Sequence, residues 1–418
     1  MGERIQKIEF TTVRVPLRPR PEKHMSRGQP NWGISELCAI SGESGLTGWG
    51  ETIVHYTWGR PDRDRAAELV GRDPFELLWD DGLGAGVQMA LWDLAGQAAG
   101  VPCHRLAGGQ IRGETPLAWW CIDMPPEDWE AEAKEAVASG YTAMKIKGRP
   151  WFDLVDQLDA VCSSAPGHLK LDVDFNDHLN DIGTAVSYLR MLEERFDRLA
   201  IWESPIPQRD VEGNRLLRRR ISLPIAMHFG TPQFLTALAG EVCDGFVISG
   251  GASRVLREGT LAAEANKPFW LQLVGTGLTT AWAAHLGAVL SHARWPAVTC
   301  LNIYADDLVG GDLAVRGGFL KVPEGPGLGI TPSAEAIERY RVPEGTVVEW
   351  PRRIYTVSWP HGRRVHYAGY RQYVDDFLAG NQPLFEREVS LGSRDDDGTG
   401  EFKRLFERAN ARPVVEQV

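Results

Sequence analysis

The chain is short of positive charge, poor in cysteine and without any long apolar run. Its 45 lysines and arginines are outnumbered by 56 aspartates and glutamates, a formal net charge of −11. That balance excludes non-specific binding to nucleic acid or to an anionic membrane surface. The densest basic run, Arg218-Arg219-Arg220, precedes a strand and reads as a solvated helix end. No apolar run reaches membrane-spanning length, and Met1–Gln6 has no signal-peptide core. The six cysteines (Cys38, Cys103, Cys121, Cys162, Cys243, Cys300) are scattered with no CxxC pair. In a chain this long they read as buried free thiols of a reducing compartment. The expectation is a soluble, cytoplasmic protein with no nucleic-acid or membrane partner.

What the chain does have is concentrated in Tyr141–Glu203. Three short apolar runs there end in charged residues: Met144-Lys145-Ile146-Lys147, Leu171-Asp172-Val173-Asp174-Phe175-Asn176 and Ile201-Trp202-Glu203-Ser204-Pro205. Helix-like stretches separate them. This is the pattern of β/α units whose strands are buried on both faces and carry chemistry at their C-terminal ends. Side chains alternate across a strand, so Lys145 and Lys147 point to one side, into the barrel.

Around this stretch, residues 5–15 and 35–50 read as strands, the second closing on Gly48-Trp49-Gly50-Glu51. Leu17–Trp32, rich in Arg, Pro and Gly, reads as a long mobile loop carrying His24 and Arg27. A second polar-aromatic loop carries His55, Tyr56 and Trp58. Gly86–Ala99 reads as a helix stopped by Gly100. Barrel strands are expected near Leu117–Cys121, Ala143–Lys147, Lys170–Asp174, Leu199–Glu203, Pro224–His228, Gly245–Ser249, Phe269–Leu273 and Val298–Ile303. In the tail, Arg353–Val357 and Arg364–Tyr367 suit a hairpin, Asp375-Asp376-Phe377-Leu378 starts a helix, and Ser393–Gly400 reads as a solvated loop. The fold class is α/β: a (β/α)8-type barrel over residues 115–347, an N-terminal α+β capping domain over 1–114, and a C-terminal extension over 348–418.

At these residues the chain resembles the mandelate racemase and muconate lactonizing branch of the enolase superfamily. The resemblance lies in Gly48-Trp49-Gly50-Glu51, in Ala90-Leu91-Trp92-Asp93-Leu94-Ala95-Gly96 with Leu106-Ala107-Gly108-Gly109, and in the ordered Lys-x-Lys, Asp-x-Asn and Glu-x-Pro runs. It covers roughly residues 5–340 and implies a carboxylate substrate, a divalent metal, usually magnesium, and removal of the α-proton to give an enolate. A hard cation suits carboxylate oxygens. A lysine base works once its pKa is pulled down by a neighbouring cation. Carried over, Lys147 is the base and Lys145 its pKa-lowering neighbour or substrate-carboxylate contact. Asp174 and Glu203 are metal ligands, and Asn176 either supports the metal ligands from behind or contacts substrate. The family is commonly oligomeric, so a homo-oligomer is expected.

The chain also departs from the family. The fifth strand should end in a third carboxylate ligand, but Pro224-Ile225-Ala226-Met227 runs into His228-Phe229-Gly230. His228 as a ligand would favour a transition metal over magnesium; as an alternative it is a hydrogen-bonder or a base. Ser249 and Gln272 stand where a racemase has its Asp–His pair, and Asn302 where a glutamic acid often sits. These neutral groups can contact substrate but cannot exchange protons near neutral pH. These residues argue against a two-base racemase, and one-base chemistry remains. The leading expectation is a metal-dependent lyase performing syn-dehydration of a hydroxy acid or acid sugar. The alternatives are an isomerase or epimerase of the same superfamily, and a non-catalytic binding protein on this fold. Further substrate contacts are expected from His24, Arg27, His55, Tyr56 and Trp58, with Trp119, Trp120 and Asp123 at the first strand; Asp306 and Asp307, after the last, are candidate proton donors. His285 reads as a packing residue.

Overall fold

The structure, a computed structural model, describes residues 2–56, 58–310 and 313–417. At its centre is a curled sheet of seven parallel strands in sequential order: Trp119–Trp120, Ala143–Lys147, Lys170–Asp174, Leu199–Glu203, Ile225–His228, Gly245–Ile248 and Phe269–Leu271. Helices follow most of these strands on the outside. Met144, Ile146, Leu171 and Val173 are buried against the helices, while Lys145, Asp172 and Asp174 are buried on the opposite, inward side. Period-2 alternation thus gives each strand an apolar back and a charged front.

The expected eighth strand does not form. Its place is taken by two isolated parallel bridges, Leu117 to Ala297 and Gln272 to Val298, which join the two edges of the sheet. Pro296 has no N–H to give a ladder, and Cys300 turns the chain with φ +58 into a short 3-10 turn at Leu301–Ile303. The first strand is likewise shorter than expected, two residues only.

The cap is a three-stranded antiparallel sheet of Ile5–Arg14, Ile34–Gly42 and Thr47–Ile53 under the helix Ala85–Ala99. The single strand expected over 35–50 is instead a hairpin, broken at Gly45, whose φ of +85 suits glycine. Gly48 and Gly50 let this helix approach the sheet. A Cβ at either would lie 2.1 Å from the carbonyl oxygen of Ala90 or Gly86 respectively. Asp93 on that helix accepts from Trp49 N at 2.8 Å and Leu328 N at 2.7 Å, tying cap to barrel.

Glu51 makes a second tie. Its buried carboxylate accepts from Thr276 N (2.7 Å), Thr276 Oγ1 (2.8 Å) and Thr279 N (2.9 Å), at the start of the helix Gly277–Val289. Glu51→Ala strands these donors in the interior, and we expect a loss of about 3 kcal/mol in urea unfolding, with Glu51→Gln losing less. A Glu51→Ala variant as stable as the parent would refute this clasp.

The mobile loop expected over Leu17–Trp32 is ordered. It contains the helix Pro19–Met25, and ionic contacts fasten it to the barrel helix Pro126–Ala138. Arg18 and Arg20 reach Glu132 and Glu135, while Lys23 and His24 reach Asp128. Glu132 is fully buried, so these contacts anchor better than surface pairs do.

Residues beyond 348 form a four-stranded antiparallel sheet of Ser390–Asp395, Arg353–Ser358, Arg363–Tyr367 and Val414–Gln417 in spatial order. The stretch read as a solvated loop at 393 thus begins as an edge strand. Its exposed polar residues pair by backbone with Arg353–Tyr355, a contact that composition does not show. The tail has its own apolar core, including Tyr355, Val357, Tyr367, Tyr373 and Phe377, which takes in Trp151 and Phe152 from the loop after the lysine strand. Among the described residues no helix is long and apolar enough to cross a membrane.

Candidate active site

The inward charges meet at the C-terminal ends of adjacent strands. Register pairs Lys145 with Asp172, Lys147 with Asp174, and Asp174 with Glu203. Lys147 Nζ lies 2.5 Å from Asp174 Oδ2 and 3.1 Å from Asn176 Oδ1. Lys145 Nζ lies 2.5 Å from Glu203 Oε2, 3.7 Å from Asp174 Oδ2, and donates to Gln272 Oε1 at 3.0 Å. His228 Nε2 is 3.2 Å from Glu203 Oε1, and its backbone N–H is held by Gln208 at 2.8 Å.

The two lysines are tuned apart. Burial lowers both, but Glu203 and Asp174 outweigh it for Lys145, whose pKa ends above the ordinary lysine value. For Lys147, burial together with Lys145 and Arg149 outweighs Asp174, and its pKa falls below that value. The carboxylates respond in kind. Burial pushes Asp174 up, and Lys147, Lys145 and Arg149 hold it well below the usual range. Burial and Asp174 push Glu203 up, and Lys145 and His228 bring it below. Asp172, deeper in the barrel, is pushed up by burial to about 7 despite Lys145.

These groups open on a cavity of about 260 Å³ beneath the cap. Of the expected contacts, His24, Arg27, Tyr56, Trp120, Asp123, Asn176, His228 and Gln272 line it with Lys145, Lys147 and Asp174. Trp32 stacks on Trp120 at 5.6 Å and meets Tyr56 at 4.6 Å, an aromatic wall from cap to first strand. Ser249 and Trp58 line a second cavity of about 160 Å³, which shares Tyr56, His228, Gln272 and Val274 with the first.

Other expected contacts lie elsewhere. His55 is exposed and lines neither cavity. Asn302 spends both amide atoms on Trp120, accepting from its N–H at 3.0 Å and donating to its carbonyl at 2.9 Å. It is a backbone clasp, required because no eighth strand holds that edge. Trp119 turns outward and donates to Glu132 at 2.8 Å. Asp306 and Asp307 accept backbone N–H groups of their own turns at 2.8 and 2.9 Å. His285 bonds Leu328 O at 3.0 Å, with its pKa lowered to about 4 by burial, as a packing residue should be.

The structure adds residues that sequence reasoning passed over. Arg149 lines the cavity and donates to Asn176 Oδ1, the atom that also receives Lys147. Its signal was available: 145, 147 and 149 continue one alternation. Cys300 also lines the cavity, its thiol pushed to about 12 by burial despite both lysines. Asp177 carries a buried, unpartnered Oδ1, and burial and Asp174 raise it to about 6. Tyr370 comes from the tail, and nothing local marks it.

For a divalent metal, Asp174 and Glu203 offer hard oxygens from adjacent strand ends, and both Glu203 oxygens are buried, met by Lys145 at 2.5 Å and by His228 at 3.2 Å. Those residues fit a hard cation. Among the described residues no three His, Cys, Asp or Glu side chains converge as a ready-made cage. The shortfall lies at the fifth strand, where His228 stands in for an acid.

The enolase C-terminal domain-like family matches residues 128–336, half of the chain. The chain belongs to this family, in the mandelate racemase and muconate lactonizing branch of the enolase superfamily. It is similar to a D-galactonate dehydratase of Verminephrobacter eiseniae, 25% identical over 247 residues, which covers 52% of this chain and 60% of that protein. It is also similar to a D-xylonate dehydratase of Haloferax volcanii, 26% identical over 368 residues, covering 75% and 87% respectively. In fold it resembles an enolase of Thermobispora bispora solved with magnesium and formate. That match has a TM-score of 0.66 and 21% identity, over 81% of this chain and 92% of the other. The match to the first dehydratase spans only three-fifths of that protein's length.

Proposed function

We propose that this protein is a lyase that removes water from a hydroxylated carboxylic acid of the acid-sugar class. Lys147 carries the proposal: its nitrogen faces the cavity, held by one carboxylate and one amide, with a pKa below the ordinary lysine value. The similarity to dehydratases of galactonate and xylonate supports the substrate class.

In this reading the neutral Lys147 amine takes the α-proton, and the electron pair moves into the substrate carboxylate to give an enolate. The carbon–oxygen bond at the β-carbon then breaks as the pair returns. Lys147 gives its proton to the departing hydroxyl, so one water is lost and the amine is regenerated. The enol that remains becomes a 2-oxo-3-deoxy acid by protonation at the β-carbon. Lys145, kept charged by Glu203 and Asp174 and oriented by Gln272, faces the substrate carboxylate. Asn176 fixes the Lys147 amine, and the Trp32–Trp120–Tyr56 wall keeps water out. Asp174 and Glu203, with His228 beside them, are the residues that would hold a divalent ion. Enolase-superfamily members bind magnesium; when bound, such an ion would stabilise charge on the substrate carboxylate by several kcal/mol.

Incubation with a panel of aldonic acids and magnesium, read by appearance of a 2-oxo-3-deoxy acid, tests this. Deuterium entering the α-carbon without water loss would instead make the protein an epimerase. Neither product nor exchange would leave a binding protein. Because only the neutral amine is a base, kcat/KM should rise with pH on a limb centred below 10.5, the ordinary lysine value. A pH–rate profile with no ascending limb below that value would remove Lys147 from the role.

A further inference from the structure

We infer that Arg149, backed by the C-terminal segment, forms a subsite for a second acidic group, so that the substrate is a dianion. This rests on the acid-sugar reading above and narrows it. Four basic side chains line the cavity: Arg27, Lys145, Lys147 and Arg149. Three of them have a carboxylate in contact. Lys145 and Lys147 are paired with Glu203 and Asp174, and Arg27 lies 3.1 Å from Asp123.

Arg149 has only neutral acceptors. It donates to Gly148 O at 3.0 Å, to Asp174 O at 2.9 Å and to Asn176 Oδ1, and its Nε is buried without a partner. It is 4% exposed. A buried guanidinium with no carboxylate in contact is costly, and a ligand anion in the cavity would complete it. Guanidinium geometry suits a planar carboxylate or a phosphate.

The tail fixes this wall. Trp151, two residues beyond Arg149, is fully buried against Tyr373 and Phe377 at ring distances of 4.9 and 5.6 Å. Tyr370 lines the same part of the cavity, packed so closely on Gly28 that a Cβ there would lie 2.9 Å from its ring. Asp123 Oδ1, fully buried and unpartnered, offers an acceptor for a neighbouring hydroxyl. Residues 348–418 lie outside the family match.

Calorimetric titration of the full chain, with magnesium present, tests the inference with three probes: an aldonic acid, the aldaric acid of the same length and configuration, and the terminally phosphorylated aldonic acid. At least one doubly acidic probe should bind about 10- to 100-fold tighter than the aldonic acid. The tighter of the two identifies the second group. Arg149→Gln should cut that preference to within about twofold, and Arg149→Lys should keep part of it. Equal binding of all three probes by the parent protein overturns the inference, as does binding of none, whether or not the variants fold. A preference that survives Arg149→Gln overturns it too. The titration reads binding alone, so a dianion preference without water loss would defeat the lyase reading only, and water loss without the preference would defeat this inference only.

Discussion

Lys147→Ala should lower kcat by about 10²–10⁴-fold, the contribution of a positioned general base. It should also abolish exchange of the α-proton with solvent deuterium. Its surroundings lower the pKa of Lys147 below the ordinary lysine value. Lys145 is moved the other way by the carboxylates it bridges, and an ammonium held by Glu203 cannot accept a proton. Lys147→Arg should not rescue, since guanidinium stays charged. Initial rates and deuterium incorporation on the same acid provide the check. A Lys147→Ala enzyme retaining a tenth of parental activity, or still exchanging, would assign the base elsewhere.

Glu203→Ala should be the most damaging single change to stability in the site, at about 3–5 kcal/mol in denaturant unfolding. Lys145 is 2% exposed and its closest anion is Glu203 at 2.5 Å, with Asp174 more distant at 3.7 Å. Removing Glu203 leaves an ammonium inside the barrel with a partner already committed to Lys147. The double variant Lys145→Met with Glu203→Leu should recover most of the loss, because it removes both charges and keeps the volume. Recovery marks the cost as an unpaired charge rather than a cavity. A loss under 1 kcal/mol in Glu203→Ala would mean that Lys145 finds water or another anion. The same variant should lose divalent-ion affinity, measured by calorimetry, since it removes one of two hard donors.

The second to fourth barrel strands were legible residue by residue in the sequence. Ala143–Lys147, Lys170–Asp174 and Leu199–Glu203 each combine an unbroken apolar back with a charge at the end, and burial on both faces leaves a continuous run of strand-forming residues. The hairpin in the cap was missed because Ser44-Gly45 interrupts it without breaking the apolar pattern. The eighth strand was overread because Val298–Ile303 has strand composition, while Cys300 takes a left-handed turn that no neighbouring residue announces. Leu17–Trp32 was read as mobile because its arginines have no local partners. Arg18 and Arg20 find theirs in Glu132 and Glu135, more than a hundred residues on, and Arg27 in Asp123.

The sequence by itself determined which side chains face one another across the second, third and fourth strands. Side-chain period and parallel register are local, and they place Lys145, Lys147, Asp174 and Glu203 together whatever surrounds them. Only the tertiary structure decided which basic group of the cavity has no carboxylate in contact. Pairing depends on distances between elements far apart in the chain. Asn302 was drawn to the Trp120 backbone, and His55 was left in solvent. Arg149 found only neutral acceptors, and Tyr370 reached the cavity from a segment that carries no motif of its own.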